Sequence, residues 1–212
     1  ETTKYLCQNI QGVKCGYTQS DEITLLLTDF DTFETQAWFD YQVQKIVSVS
    51  ASMAAAKFNQ LRTIRSLRLL ASPSNFEDWK QVRVLKLAHF DARVFQIPEF
   101  EEVVNCFIWR QRDAIKNSIQ MLAQSLYSQK ELHKKNGHEQ KDLCRDKGQP
   151  WEALTIHKQR GIFIAKTTIY VGAPHGLGDH NPIPVTATRT KWEIAQTPNF
   201  SENRESILNL LK

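Results

Sequence analysis

Ser20, Asp21 and Glu22 form the triplet with the most chemical promise in this sequence. Adjacent carboxylates just before the apolar run from Ile23 to Leu27 put acidic groups at the rim of a sheet. Magnesium takes oxygen ligands, one or two carboxylates plus substrate phosphates. Two-metal phosphoryl transfer holds its ions roughly 3.5–4 Å apart on such groups. The same pair also suits a solvated turn. Lys45 stands on a stretch of apolar and small residues, either as a point charge for a triphosphate or as a lysine whose stem covers apolar neighbours. Arg93 sits in an alternating segment, where a solvated sheet face would equally hold it. Arg110, Asp113 and Asn117 recur at spacings of three and four, which puts them on one helix face. They either line a cleft or form an exposed stripe with an Arg–Asp pair.

Basic residues gather in two regions, Arg62, Arg65 and Arg68, then Lys130, Lys134, Lys135, Lys141, Arg145 and Lys147. Phosphate backbones attract such regions without sequence specificity, and a solvated face explains them as well. Three patterns carry no site. The glycine-rich run from Gly172 to Gly178 contains Pro174 and opens no helix, so it lacks the context of a dinucleotide loop. His133 and His138, like His175 and His180, lack cysteine partners at zinc-finger spacing. No nucleophile elbow is present.

These residues need elements to hold them. The first ten residues read as the end of an amphipathic helix, without a start methionine or a capping signal before it. Residues 13–19 and 23–30 read as two short strands with Ser20, Asp21 and Glu22 at their hairpin. Thr35 to about Asn59 forms a helical pattern, with Phe39, Val43, Ile46, Val47 and Ala54 on one face. Residues 89–98 alternate and end at Pro98, as a strand does. Glu99 to Ser128 is the clearest helix, with Val104, Ile108, Ile115, Ile119, Leu122 and Leu126 as its seam. Beyond residue 130 comes a charged, glycine-containing stretch, then a strand-like pair at 162–166 and 168–171. A strand at 186–194 follows, then a last helix with Ser201 as N-cap and Glu205 nearby.

The first half therefore runs α-β-β-α-β and then a long helix. That is a ferredoxin-like β-α-β-β-α-β order lacking its first strand, in an α+β class with helices over one face of an antiparallel sheet. The absent strand belongs before Glu1, so the segment is expected to be N-terminally incomplete.

Composition fits this reading. At 212 residues the chain can bury a core. Its 41% hydrophobic and 24% charged residues exclude disordered and fibrous classes. No apolar run reaches the roughly 20 residues that span a bilayer, so no membrane partner is expected. A net charge of +4 tilts only weakly toward anionic partners. Four cysteines at no metal spacing predict neither a disulfide framework nor a zinc finger, and a reducing cytoplasmic setting. Cys106 reads as a small core hydrophobe.

Taken together, residues 17–30, 40–53, 90–98 and 109–125 resemble the tRNA(His) guanylyltransferase family, and more closely its Thg1-like branch. Residues 130–137 and the K-x-R-G of Lys158, Arg160 and Gly161 extend the likeness, which covers roughly residues 3–165. The resemblance implies a polymerase-like palm over residues 1–129 and a smaller C-terminal α/β extension over 130–212 that contacts tRNA. It implies template-dependent nucleotide addition to tRNA 5′ ends in the 3′-to-5′ direction. Two Mg2+ ions, ATP and GTP or other nucleoside triphosphates would take part, in a cytoplasmic homotetramer. Asp21 would be the metal carboxylate, supported by Glu22. Ser20, Lys45, Arg93 and Asn117 would face phosphates, Arg110 and Asp113 would organise the cleft, and Lys158 and Arg160 would meet tRNA. The family's first metal motif, R-I-D-G-R-x-F-H, is absent from these residues and is expected upstream. The stretch from Ile115 to Met121 departs from the H-I-N-N-L-Y-N of the eukaryotic guanylyltransferases, which favours 5′-end repair over strict guanylate addition. The other reading is a non-catalytic RNA-binding palm without a complete metal site.

Overall fold

A computed structural model describes residues 1–71, 86–172 and 186–211. The chain divides into two compact units, Glu1–Val13 with Leu26–Ile97, and Lys14–Leu25 with Pro98–Lys212. The expected boundary at 129/130 falls inside the second unit.

In the first unit, helix α1 (Thr2–Asn9) buries Thr2, Thr3, Leu6 and Cys7 and packs on helix α2 (Val43–Ala71). Gly12 follows with φ +77°, and a side chain there would come within 2.5 Å of the Thr28 carbonyl oxygen. Only glycine tolerates both conditions. Helix α2 begins eight residues later than the sequence pattern suggests, because Trp38–Tyr41 form a tight 3-10 turn with positive φ at Phe39, Asp40 and Tyr41. The helix then runs well past Asn59, to Ala71. Residues 89–98 are not a strand. The Asn59 amide takes both backbone groups of Ala88, at 2.9 Å each, and Phe90 docks edge-on against Phe58. A helix side chain thus supplies the pairing that a neighbouring strand would give.

The sheet orders its strands β2-β1-β3-β4, from β1 (Val13–Gln19), β2 (Glu22–Leu27), β3 (Ile162–Gly172) and β4 (Thr186–Ala195). Strand β1 pairs antiparallel with β3, setting Tyr17 opposite Phe163, and β3 pairs antiparallel with β4, setting Lys166 opposite Trp192. The two segments expected at 162–166 and 168–171 are one continuous strand. The class is α+β, an antiparallel sheet with helices, as the element order implies.

Helix α3 (Phe100–Leu126) is the backbone of the second unit. It buries Val103, Val104, Phe107, Ile108, Gln111, Ala114, Ile119 and Ala123, a stripe at helical spacing. Helices α4 (Gln129–Leu132), α5 (Gly137–Asp146) and α6 (Ile156–Arg160) pack along it. The last helix, α7, is one short turn (Glu205–Leu208) with Arg204 rather than Ser201 at its N-cap. Ser201 lies in the preceding turn, and the Asn203 side chain instead accepts from the Ser206 amide. Phe200, fully buried, meets the rings of Tyr17, Phe107 and Phe163 edge-on at 5.4–6.0 Å between centroids. No cysteine forms a disulfide. Cys7, Cys15 and Cys144 are buried, while Cys106 is only half-buried. From Ala173 onward the glycine-rich loop, with His175 and His180, lies outside the described residues.

Candidate functional site

Ser20, Asp21, Glu22, Arg110, Asp113, Asn117, Lys158 and Arg160 all belong to the second unit, whereas Lys45 and Arg93 belong to the first. Strands β1 and β2 are joined through Ser20 and Asp21 alone, with Ser20 at φ +49°. Turns this short need positive φ, which a small polar residue accepts at modest cost. The hairpin therefore lifts Asp21 into solvent at the end of the sheet.

Glu22 differs from its neighbour. Its Oε2 accepts from Gln19 Nε2 at 3.0 Å and from Arg110 Nη1 at 3.2 Å. Helix α3 thus reaches the hairpin through a guanidinium, one turn from Asp113, whose Oδ2 accepts from Asn117 Nδ2 at 3.2 Å. Asp21 has no hydrogen-bond or ion-pair partner among the described residues. One carboxylate is paired with a cation of the same unit, and the other has no such partner among the described residues.

The strand that leads into this hairpin is anchored by Tyr17. Its ring is 1% exposed and its hydroxyl donates to the Arg160 carbonyl at 2.5 Å. Burial, with the nearby negative charge of Asp113, pushes the Tyr17 phenol well above its usual range. Gly161 follows with φ +79°, and a Cβ there would stand 2.6 Å from the Thr18 carbonyl oxygen. The K-x-R-G turn therefore packs directly on β1, leaving Lys158 exposed and Arg160 half-buried. Neither Tyr17 nor Gln19 carries a sequence signal for this role, although Gly161 in K-x-R-G is consistent with a close approach.

In the first unit, Lys45 Nζ sits 5.3 Å from the centre of the Phe39 ring. Arg93 is exposed and lies 3.5 Å from Asp91. Such exposed pairs contribute little to stability.

Among the described residues, no three His, Cys, Asp or Glu side chains gather as a metal cluster. With Glu22 engaged by Arg110, Asp21 alone does not make the donor set that two magnesium ions require.

The family model described as tRNAHis guanylyltransferase (Thg1) matches residues 1–98. A bacterial tRNA(His) guanylyltransferase (Thg1)-like protein in complex with ATP is 38% identical, with a TM-score of 0.75 over 100% of this chain and 76% of that one. The chain belongs to the Thg1 family. A second bacterial structure of the Thg1-like kind, in complex with GTP, is 37% identical with a TM-score of 0.70, over 99% of this chain and 74% of that one. The uncharacterized protein R259 of Acanthamoeba polyphaga mimivirus is 27% identical over 173 residues, 74% of this chain. The chain spans 57% of the length of that viral relative. No described helix is long and apolar enough to cross a membrane.

Proposed function

We propose that this chain is the nucleotide-handling part of a nucleotidyltransferase that adds nucleotides to the 5′ end of tRNA, against a template and in the 3′-to-5′ direction. The observation that carries this reading is the likeness, at 38% identity over all of this chain and 76% of the other, to a bacterial Thg1-like protein in complex with ATP. In the reaction, the 3′-hydroxyl oxygen of an incoming nucleoside triphosphate bonds to the α-phosphorus of the activated tRNA 5′ end. Pyrophosphate or an adenylate leaves, depending on how that end was activated. ATP and GTP are the nucleotides proposed, and the cytoplasm and a homotetramer are the setting.

The hairpin supports this chemistry through charge and position. Asp21 offers a solvated carboxylate at a fixed turn, while Arg110 holds Glu22 and brings α3 against the same edge. Ser20 and Asn117 add neutral hydrogen-bonding groups in this unit; Lys45 and Arg93 are proposed, by themselves, as phosphate-facing cations of the first unit. Positioned charges of this kind are the main resource of phosphoryl-transfer enzymes. Lys158 and Arg160, with the charged stretch after residue 130, are proposed to meet tRNA phosphates. The described residues by themselves do not complete a two-magnesium site.

The test is labelled nucleotide incorporation into a tRNA shortened at its 5′ end, using the protein that carries this chain. Template-matched incorporation supports the reading. RNA binding without incorporation would favour the non-catalytic palm, which the engaged Glu22 also suits.

A further inference from the structure

The second unit contains a cavity of about 680 Å³ far along α3 from the hairpin, where the end of that helix meets α4 and α5. Four glutamines line it, Gln120, Gln124, Gln129 and Gln140, together with His133 and Lys134. No carboxylate is among its lining residues. Gln120 and Gln124 lie one turn apart on α3 and make no side-chain hydrogen bond among the described residues.

Gln140 is the unusual member. It is 8% exposed, its Nε2 donates to the Lys135 carbonyl at 3.0 Å, and its Oε1 has no partner among the described residues. A buried acceptor left unmet is costly, and such groups call for an explanation in each case. Lys134 holds a positive φ of +60°, a conformation that a lysine rarely keeps without a reason in its surroundings. Lys134, a lining residue, is exposed and has no carboxylate partner among the described residues.

Each glutamine presents an acceptor and two donors on one planar group. Base edges carry the matching pattern, and proteins read unpaired nucleotides by such edge contacts, with stacking on rings such as histidine. The volume falls in the range of small-ligand sites. An amide wall beside Lys134 suits a base with one phosphate better than an anion alone. We infer that this cavity binds a single nucleotide, its base against Gln120 and Gln124 and its phosphate beside Lys134. The inference does not rest on transfer at the Asp21 hairpin.

The nucleotide comes either free or as an unpaired residue of RNA, and titrations separate the two sources. Calorimetry with AMP and GMP, and anisotropy with labelled single-stranded RNA, would be run on the wild type and three variants. These are Gln120→Ala/Gln124→Ala, Lys134→Gly (which keeps the positive φ without strain) and Asp21→Ala, each checked for native circular dichroism. We expect the double glutamine variant to bind about tenfold more weakly, with Asp21→Ala unchanged at this site. Weakening for AMP or GMP identifies a free nucleotide, and weakening for RNA alone identifies an unpaired residue. Dissociation constants within about twofold of wild type for every ligand in both cavity variants, or no binding by the wild type, would overturn the inference.

Discussion

Asp21 and Glu22 are neighbours in sequence with opposite situations in space: one has no partner among the described residues, and the other is held by Gln19 and Arg110. The Arg110–Glu22 pair spans 88 residues and is partly exposed, so its direct worth is below about 1 kcal/mol. Its value lies in where it holds the hairpin. Arg110→Ala should therefore shift the urea midpoint little while lowering nucleotide incorporation by about tenfold or more, with partial recovery in Arg110→Lys. A large loss of stability with normal incorporation would reverse that ordering. Gly161 makes the contrasting case. Strain at positive φ costs about 1–3 kcal/mol, and the 2.6 Å approach to Thr18 adds to it. Gly161→Ala should lose at least about 2 kcal/mol in urea unfolding, against about 1 kcal/mol for removing the Tyr17 hydroxyl in Tyr17→Phe. The triplet was legible because its residues are local. Arg110 was legible as a candidate on its own helix face, but its pairing with Glu22 was not, since no spacing rule links positions 88 residues apart.

Helix α3 was legible for the same reason that it is stable. Its apolar stripe is long, continuous and free of breakers. What the stripe concealed is Gln111, a polar residue 2% exposed among hydrophobic neighbours. Its Nε2 donates to the Pro198 carbonyl at 2.8 Å and its Oε1 accepts from the Phe200 amide at 2.9 Å. Thr197 adds a second clasp, accepting from the Phe163 amide and donating to the Gly161 carbonyl. The segment after β4 is thereby fastened to both helix and sheet. Gln111→Leu leaves two buried backbone groups unmet, at about 1–3 kcal/mol each. Limited proteolysis of that variant should cut first between residues 196 and 204, and an unchanged digestion pattern would contradict the clasp. Residues 89–98 show the opposite failure. Their alternation matched a strand, but periodicity cannot reveal that Asn59 already satisfies Ala88.

On the scale of the whole molecule, buried groups set how stability responds to pH. Burial pushes the Cys7 thiol up to about 12, and burial raises Tyr17, Cys106 and Cys144 in the same direction. A folded thiol that keeps its proton when the unfolded one has lost it makes stability fall with rising pH. The Cys7 contribution is fully present below about pH 8.5, the ordinary thiol value, and is lost toward pH 12. Urea midpoints should accordingly drop between pH 8 and pH 10.5, and iodoacetamide should leave Cys7 unmodified in the native protein at pH 8. The α+β class and most elements could be read from the chain because they depend on local pattern. The division into two units, with residues 14–25 joined to the C-terminal half, could not, because it depends on which distant strands pair.

The central claim, nucleotide addition at a tRNA 5′ end through the β1–β2 hairpin, is tested most directly by the rate of labelled nucleotide incorporation into a 5′-shortened tRNA. Wild type and Asp21→Ala would be compared in the protein that carries this chain, at equal folded concentration. Because Asp21 is exposed and bonded to nothing among the described residues, its removal should leave stability within about 0.5 kcal/mol of wild type. The account predicts template-matched incorporation by the wild type and a loss of about a hundredfold or more in Asp21→Ala. Equal rates for the two proteins would contradict it.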